Sequence, residues 1–204
     1  MYKIYLDFET RSMADIKKVG TVNYSKSPTT EVLCCAVSDD RHHPIILNAD
    51  EIKVHNILYE KAQDRECLFV AHNAFFERCI WENLLVKRYG YPEIPINRWR
   101  CSMAKASAHG LPKSLEKCAK ALGLSEQKDE TGKRIMLKLS KPRKPTKNNP
   151  SLWHEKPEDY QMLYEYCKQD VNVERDIEQY LPDLTPFEQE IWELDQFINS
   201  NGIR

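Results

Sequence analysis

Tyr2-Lys3-Ile4-Tyr5-Leu6-Asp7-Phe8-Glu9-Thr10 is the stretch on which the fold turns. Tyr2 to Leu6 is a β-rich run, and it leads straight into two acids separated by one residue. Side chains alternate along an extended chain, so Asp7 and Glu9 project together while Phe8 points the other way, into a core. Two convergent carboxylates at the end of a strand suit a hard divalent ion. Taken alone, D-x-E after an apolar run is equally an ordinary strand end that arises by chance.

Working outward, Glu31 to Val37 and Pro44 to Leu47 are further β-rich runs. Val54 to Ala62 has helical spacing, and Cys67 to Ala71 is an apolar run of buried-strand length. A helix is expected from Ala74 or Phe75 to about Tyr89, closed by Gly90 and Pro92. Ser114 caps another, which ends at Gly123. Gly132 to Pro150 carries Pro142, Pro145 and Pro150 among lysines and asparagines and reads as a loop. Pro157 opens the longest helical pattern, to about Tyr180, and a last helix runs from Pro186 to about Ser200. Strands followed by strand–helix alternation imply an α/β fold with a mixed sheet.

A chain of 204 residues accommodates one core, or one core with a small appendage. No apolar run approaches the roughly 20 residues of a bilayer span, and the start lacks a signal-peptide layout, so a cytosolic protein without membrane partners is expected. The net charge of −1 hides an uneven distribution: seven basic residues and no acid lie between Lys133 and Lys147, whereas Glu155 to Glu193 is acid-rich. Separated poles suit a protein that grips a polyanion and holds metal ions, although charge runs also serve simply to solvate a surface. The seven cysteines contain no C-x-x-C and sit in apolar segments, as reduced packing residues do. None of the six glycines forms a phosphate-cradling motif.

Two further segments carry acids. Ala71 to Glu77 spans a strand–helix handover, where ligands bind in open α/β sheets, and Glu77 would face that crevice. By itself, Glu77 is also a helix-dipole partner. Tyr166 and Asp170 stand four apart on the long helix, phenol above carboxylate; by themselves they read as a packed tyrosine and an exposed acid.

In order, a strand-borne D-x-E, N-x-x-F-E at a strand–helix junction and Y-x-x-x-D on a late helix resemble the three motifs of the DEDD exonucleases, in their tyrosine-bearing branch. The helix from Ser114 to Leu124 between the second and third motifs fits the same pattern. The resemblance implies a ribonuclease-H-like fold, a mixed central sheet flanked by helices, and a 3′–5′ exonuclease using two Mg²⁺ or Mn²⁺ ions. It implies that Asp7 bridges both ions, that Glu9 and Asp170 complete the site of the attacking water, and that Glu77 serves the second ion through water. Tyr166 would orient the water. The family's usual second-motif acid is Asp, so Glu77 is a departure that lengthens the reach. By analogy, Thr10 and Asn73 would lie near the terminal nucleotide; Phe76, like Trp81, Trp99 and Trp153, is a candidate for stacking on a base, with a place in the core as the favoured alternative for most of them. In the basic loop, assigned to residues 133–150, Lys138, Lys141, Arg143 and Lys144 would meet phosphates further along the strand.

The tail from Leu184 to Ile203 resembles the exonuclease–polymerase junction of phage-type family A DNA polymerases. The chain then divides into an exonuclease domain over residues 1–183 and a C-terminal helix or linker over residues 184–204 that leads towards a polymerase region. Its partners would be a polymerase domain or subunit and single-stranded DNA or a frayed primer 3′ end, in proofreading. The histidine-bearing branch needs His near Glu165 or Tyr166 and finds none. A catalytically silent nucleic-acid-binding or scaffolding module and an exoribonuclease stay open as alternatives, since the metal chemistry does not distinguish a 2′-hydroxyl.

Overall fold

A computed structural model of the chain describes residues 1–124, 130–147 and 149–202. One sheet contains β1 (Tyr2–Arg11), β2 (Glu31–Asp39), β3 (Ile45–Asn48), β4 (Cys67–Ala71) and β5 (Trp99–Cys101), in the order β3-β2-β1-β4-β5. The central β1 runs antiparallel to β2 and parallel to β4. The sheet is therefore mixed, as expected.

Strand alternation decides what each face carries. Ile4, Leu6 and Phe8 join one core with Phe69, Trp81 and Trp99. That face is covered by α1 (Ile16–Lys26) and α3 (Ala74–Ile80), which continues through a π-helical stretch (Trp81–Val86) into α4 (Lys87–Tyr89). Tyr5 points the other way and packs with Leu163, Cys167 and Val171 beneath α8 (Pro157–Tyr180) and α7 (Glu130–Leu139). Asp7 and Glu9 share the face of Tyr5, so the first acidic pair is delivered to α8. The register slips from Glu9↔Cys34 to Thr10↔Val32, leaving Leu33 as an extra residue on β2. Such bulges bend a strand and re-aim its side chains, and this one falls beside Glu9.

The remaining helices are α2 (Ile57–Gln63), α5 (Ser102–Ala108), α6 (Leu115–Ala121) and α9 (Pro186–Asn201). Helix α2 starts at Ile57, later than the Val54 its periodicity suggests, because the Asn56 side chain accepts from the Leu58 and Tyr59 N–H groups. Ser114 occupies the N-cap of α6 without a side-chain hydrogen bond. The expected 133–150 loop is corrected in its first part: α7 runs to Leu139 with Gly132, Ile135 and Leu139 buried. Those residues fall at helical spacing, and the first proline is not met until Pro142. The seven cysteines are free and buried. No helix among the described residues is long and apolar enough to cross a membrane.

Candidate active site

Asp7 lies under α8, where the Cys167 thiol donates to its Oδ2 at 3.3 Å. Burial pushes the Asp7 carboxyl up to about 6, against the pull of that hydrogen bond. Glu9 is buried two residues on, and its carboxyl is held well above the usual range. Burial is the main cause, and the neighbouring charges of Asp7, Cys34, Asp170 and Glu77 act in the same direction. Glu77, 3 % exposed, is raised by burial and then by Asp7, and its Oε2 has no hydrogen-bond partner. The Tyr166 phenol is raised by burial, then by the charges of Asp170 and Glu9, and it shares a hydrogen bond with Asp170. It therefore keeps its proton at neutral pH. Asp7 and Glu9 from β1, Glu77 from α3, and Tyr166 and Asp170 from α8 thus come from three separate elements into one electrostatic neighbourhood.

Carboxylates this close in a low-dielectric setting cannot all ionise without a cation among them. The donor set suits a hard divalent ion in kind, since every group offers carboxylate oxygen and Glu77 Oε2 is buried without a partner. Among the described residues, no three His, Cys, Asp or Glu groups already enclose a point where an ion would sit. The chemistry fits; the coordination shell is not preformed.

A further acid joins them. Glu174, one turn beyond Asp170, is 1 % exposed, and its Oε2 accepts the His72 N–H at 3.0 Å. Burial, and then the charges of Asp7 and Glu77, raise its carboxyl well above the usual range, and its Oε1 has no partner. Helical spacing from Asp170 was the signal that could have found it.

The residues expected to touch a nucleotide are placed less uniformly. Asn73 stands at the β4–α3 turn with φ 69° and ψ 50°, the one non-glycine residue of positive φ among those described, and its side chain does not cap α3. Thr10 is turned inward, its hydroxyl 2.8 Å from that of Tyr24. Phe76 is half-buried, its ring centroid 6.2 Å from that of Tyr24. Lys138 sits on α7, paired with Asp159 at 2.5 Å. Lys141 and Lys144 are exposed. Arg143 and Lys138 line a cavity of about 340 Å³ with Trp153, His154 and Lys156. Arg11, at the end of β1, stacks its guanidinium 4.8 Å over Trp153, which sets this basic corner beside the strand that carries Glu9.

No family model matches the chain. It is 36 % identical over 212 aligned positions to a DNA polymerase of Bacillus phage SP02, covering all of this chain and 32 % of the polymerase. The chain thus spans about a third of that relative. Among solved structures, NrnC of Brucella melitensis with bound Mg²⁺ superposes with a TM-score of 0.53 at 13 % identity, over 98 % of this chain and 82 % of the other. RNase D of Escherichia coli, described as an exoribonuclease of structured RNA processing, superposes with a TM-score of 0.50 at 14 % identity, over 100 % of this chain and 46 % of the other. The chain is a homologue, along its whole length, of part of a phage DNA polymerase, and it has the ribonuclease-H-like fold seen in NrnC and RNase D.

Proposed function

We propose that this chain is a two-metal 3′–5′ exonuclease that trims single-stranded DNA or frayed primer ends, proofreading for a polymerase domain or subunit. The carrying observation is the burial of Asp7, Glu9 and Glu77 where Asp7 raises the proton affinity of both glutamates and Glu77 that of Glu9, with Tyr166 and Asp170 beside them. A purely structural module has no reason to bury like charges together. Asp7, Glu9, Asp170 and Glu77 would hold Mg²⁺ or Mn²⁺. Such ions acidify the attacking water and neutralise charge on the leaving oxygen. Tyr166, holding its proton, positions that water by hydrogen bonding and does not abstract its proton. Asn73 presents a left-handed turn near the terminal nucleotide. The polymerase relative favours DNA as substrate.

Digestion of a 5′-labelled single-stranded oligonucleotide tests this reading. With Mg²⁺ or Mn²⁺, products shorten stepwise from the 3′ end; EDTA or Asp7→Ala stops them. Intact DNA under both metals with a shortened RNA counterpart would turn the reading to an exoribonuclease. Intact DNA and RNA would turn it to a silent binding module.

The basic corner makes a second test. With Lys141→Ala and Lys144→Ala combined, binding of a longer oligonucleotide weakens and its salt dependence flattens by about one to two phosphate contacts. An unchanged slope would remove these lysines from the strand's path.

A further inference from the structure

We infer that Glu174 is a positioning residue of this site: it ties the turn that carries Asn73 and leads into the first turn of α3, where Glu77 lies, to the helix that carries Tyr166 and Asp170. The inference rests on the nuclease reading above. Between the end of β4 at Ala71 and the start of α3 at Ala74 lie only His72 and Asn73. The His72 N–H donates to Glu174 Oε2 across 102 residues of chain. The His72 ring is held at both nitrogens, Nδ1 at 2.8 Å from Ser102 Oγ and Nε2 at 2.8 Å from the Lys113 carbonyl. The next residue, Asn73, takes the left-handed conformation, which persists in a non-glycine residue only where its surroundings over-determine it. One side chain from α8 thus braces the turn from which Glu77 reaches inward.

The brace itself needs only an acceptor at position 174. A neutral amide would accept the His72 N–H without the cost of a buried charge. Glutamate accepts that N–H through Oε2 and leaves Oε1 without a partner in the interior. Glu77 has one methylene more than the aspartate usual at its position, hence one more torsion to fix. A longer ligand arm has a defined tip only if its base is held. Partners of this kind orient ligands without touching the ion, and their loss typically weakens metal affinity about 10- to 100-fold.

The test compares wild type, Glu174→Ala and Glu174→Gln by calorimetric titration with Mn²⁺, amide hydrogen exchange over residues 71–77, and oligonucleotide kinetics. Glu174→Ala should weaken Mn²⁺ binding at least tenfold, speed exchange of the His72 amide, and lower kcat with little change in KM. Glu174→Gln, which keeps an acceptor for that amide, should restore its protection and recover most of the Mn²⁺ affinity. Wild-type Mn²⁺ affinity in Glu174→Ala would overturn the inference. So would equal impairment of both variants, which would assign the role to the charge and not to the brace. Should the wild type cut nothing, the nuclease reading fails by itself, while Mn²⁺ binding and amide exchange still decide the role of Glu174.

Discussion

Asp7→Asn should raise the thermal midpoint of the metal-free protein at neutral pH and abolish the proposed cleavage of DNA. Both effects have one cause. Burial lifts the Asp7 carboxyl from its ordinary 3.8 to about 6. The folded chain then binds more protons than the unfolded one between those values, so stability falls as pH rises through that window and stays low above it. For Asp7 alone this amounts to about 2–3 kcal/mol at pH 7. Glu9, Glu77 and Glu174 are shifted in the same direction. An amide at position 7 removes the charge, keeps an acceptor for the Cys167 thiol, and forfeits a ligand. The expected gain is roughly 4–12 °C in the melting temperature. It should shrink on lowering the pH to 4, where wild-type Asp7 carries its proton. Added Mn²⁺ should raise the wild-type midpoint at pH 7.5 and leave the variant nearly unmoved. A thermal scan in EDTA from pH 4 to 8 decides the matter. A wild type that grows more stable towards pH 7, with a variant that melts lower, would mean that burial does not raise the Asp7 carboxyl.

What could be read from the sequence, and what could not, follows the range of the interactions involved. Asp7 and Glu9 were placed on one face by strand alternation, and Tyr166 and Asp170 by helical spacing; both rules are local. Glu77 needed only the recognition of a strand–helix handover. The mixed character of the sheet, though not its strand order, followed from the run of strands and helices. Glu174 lay in plain register with Asp170, but its meaning depends on a hydrogen bond to His72, and no periodicity announces that. Lys138 illustrates the opposite error. Composition made it a free cation in a loop, whereas α7 presents it to Asp159. Thr10 follows the acidic pair in sequence, yet its hydroxyl meets Tyr24 inside the fold. Helix α1 escaped because its apolar face is weak and Gly20, at φ 76°, kinks it. The three-residue β5 is too short to register as a strand at all.

The largest loss of stability outside the acidic cluster is expected from Lys105→Ala. The Lys105 ammonium, 3 % exposed, donates to the Glu178 carbonyl at 2.7 Å and to Asp183 Oδ1 at 2.7 Å, and lies 3.0 Å from Glu178 Oε1. Lys3 reaches the same two acids, at 2.8 Å from Glu178 and 3.0 Å from Asp183. Glu178 is itself buried and has no partner for Oε2. Removing Lys105 leaves that carboxylate with Lys3 alone, and breaking a buried pair from one side costs about 3–5 kcal/mol. In a chain of this size the melting temperature should drop by roughly 6–20 °C. Replacing both partners by apolar residues, Lys105→Met with Glu178→Leu, should recover most of the loss, since the penalty lies in the orphaned charge and not in the missing bond. Urea unfolding of the two variants separates these terms. A loss below about 1 kcal/mol for Lys105→Ala would show that Lys3 suffices. The cluster joins the start of β1, α5 and the last turns of α8, so it clamps together the two elements that carry Asp7, Glu9, Tyr166 and Asp170. A drop in stability here should therefore be accompanied by weaker Mn²⁺ binding at a site that none of these residues touches.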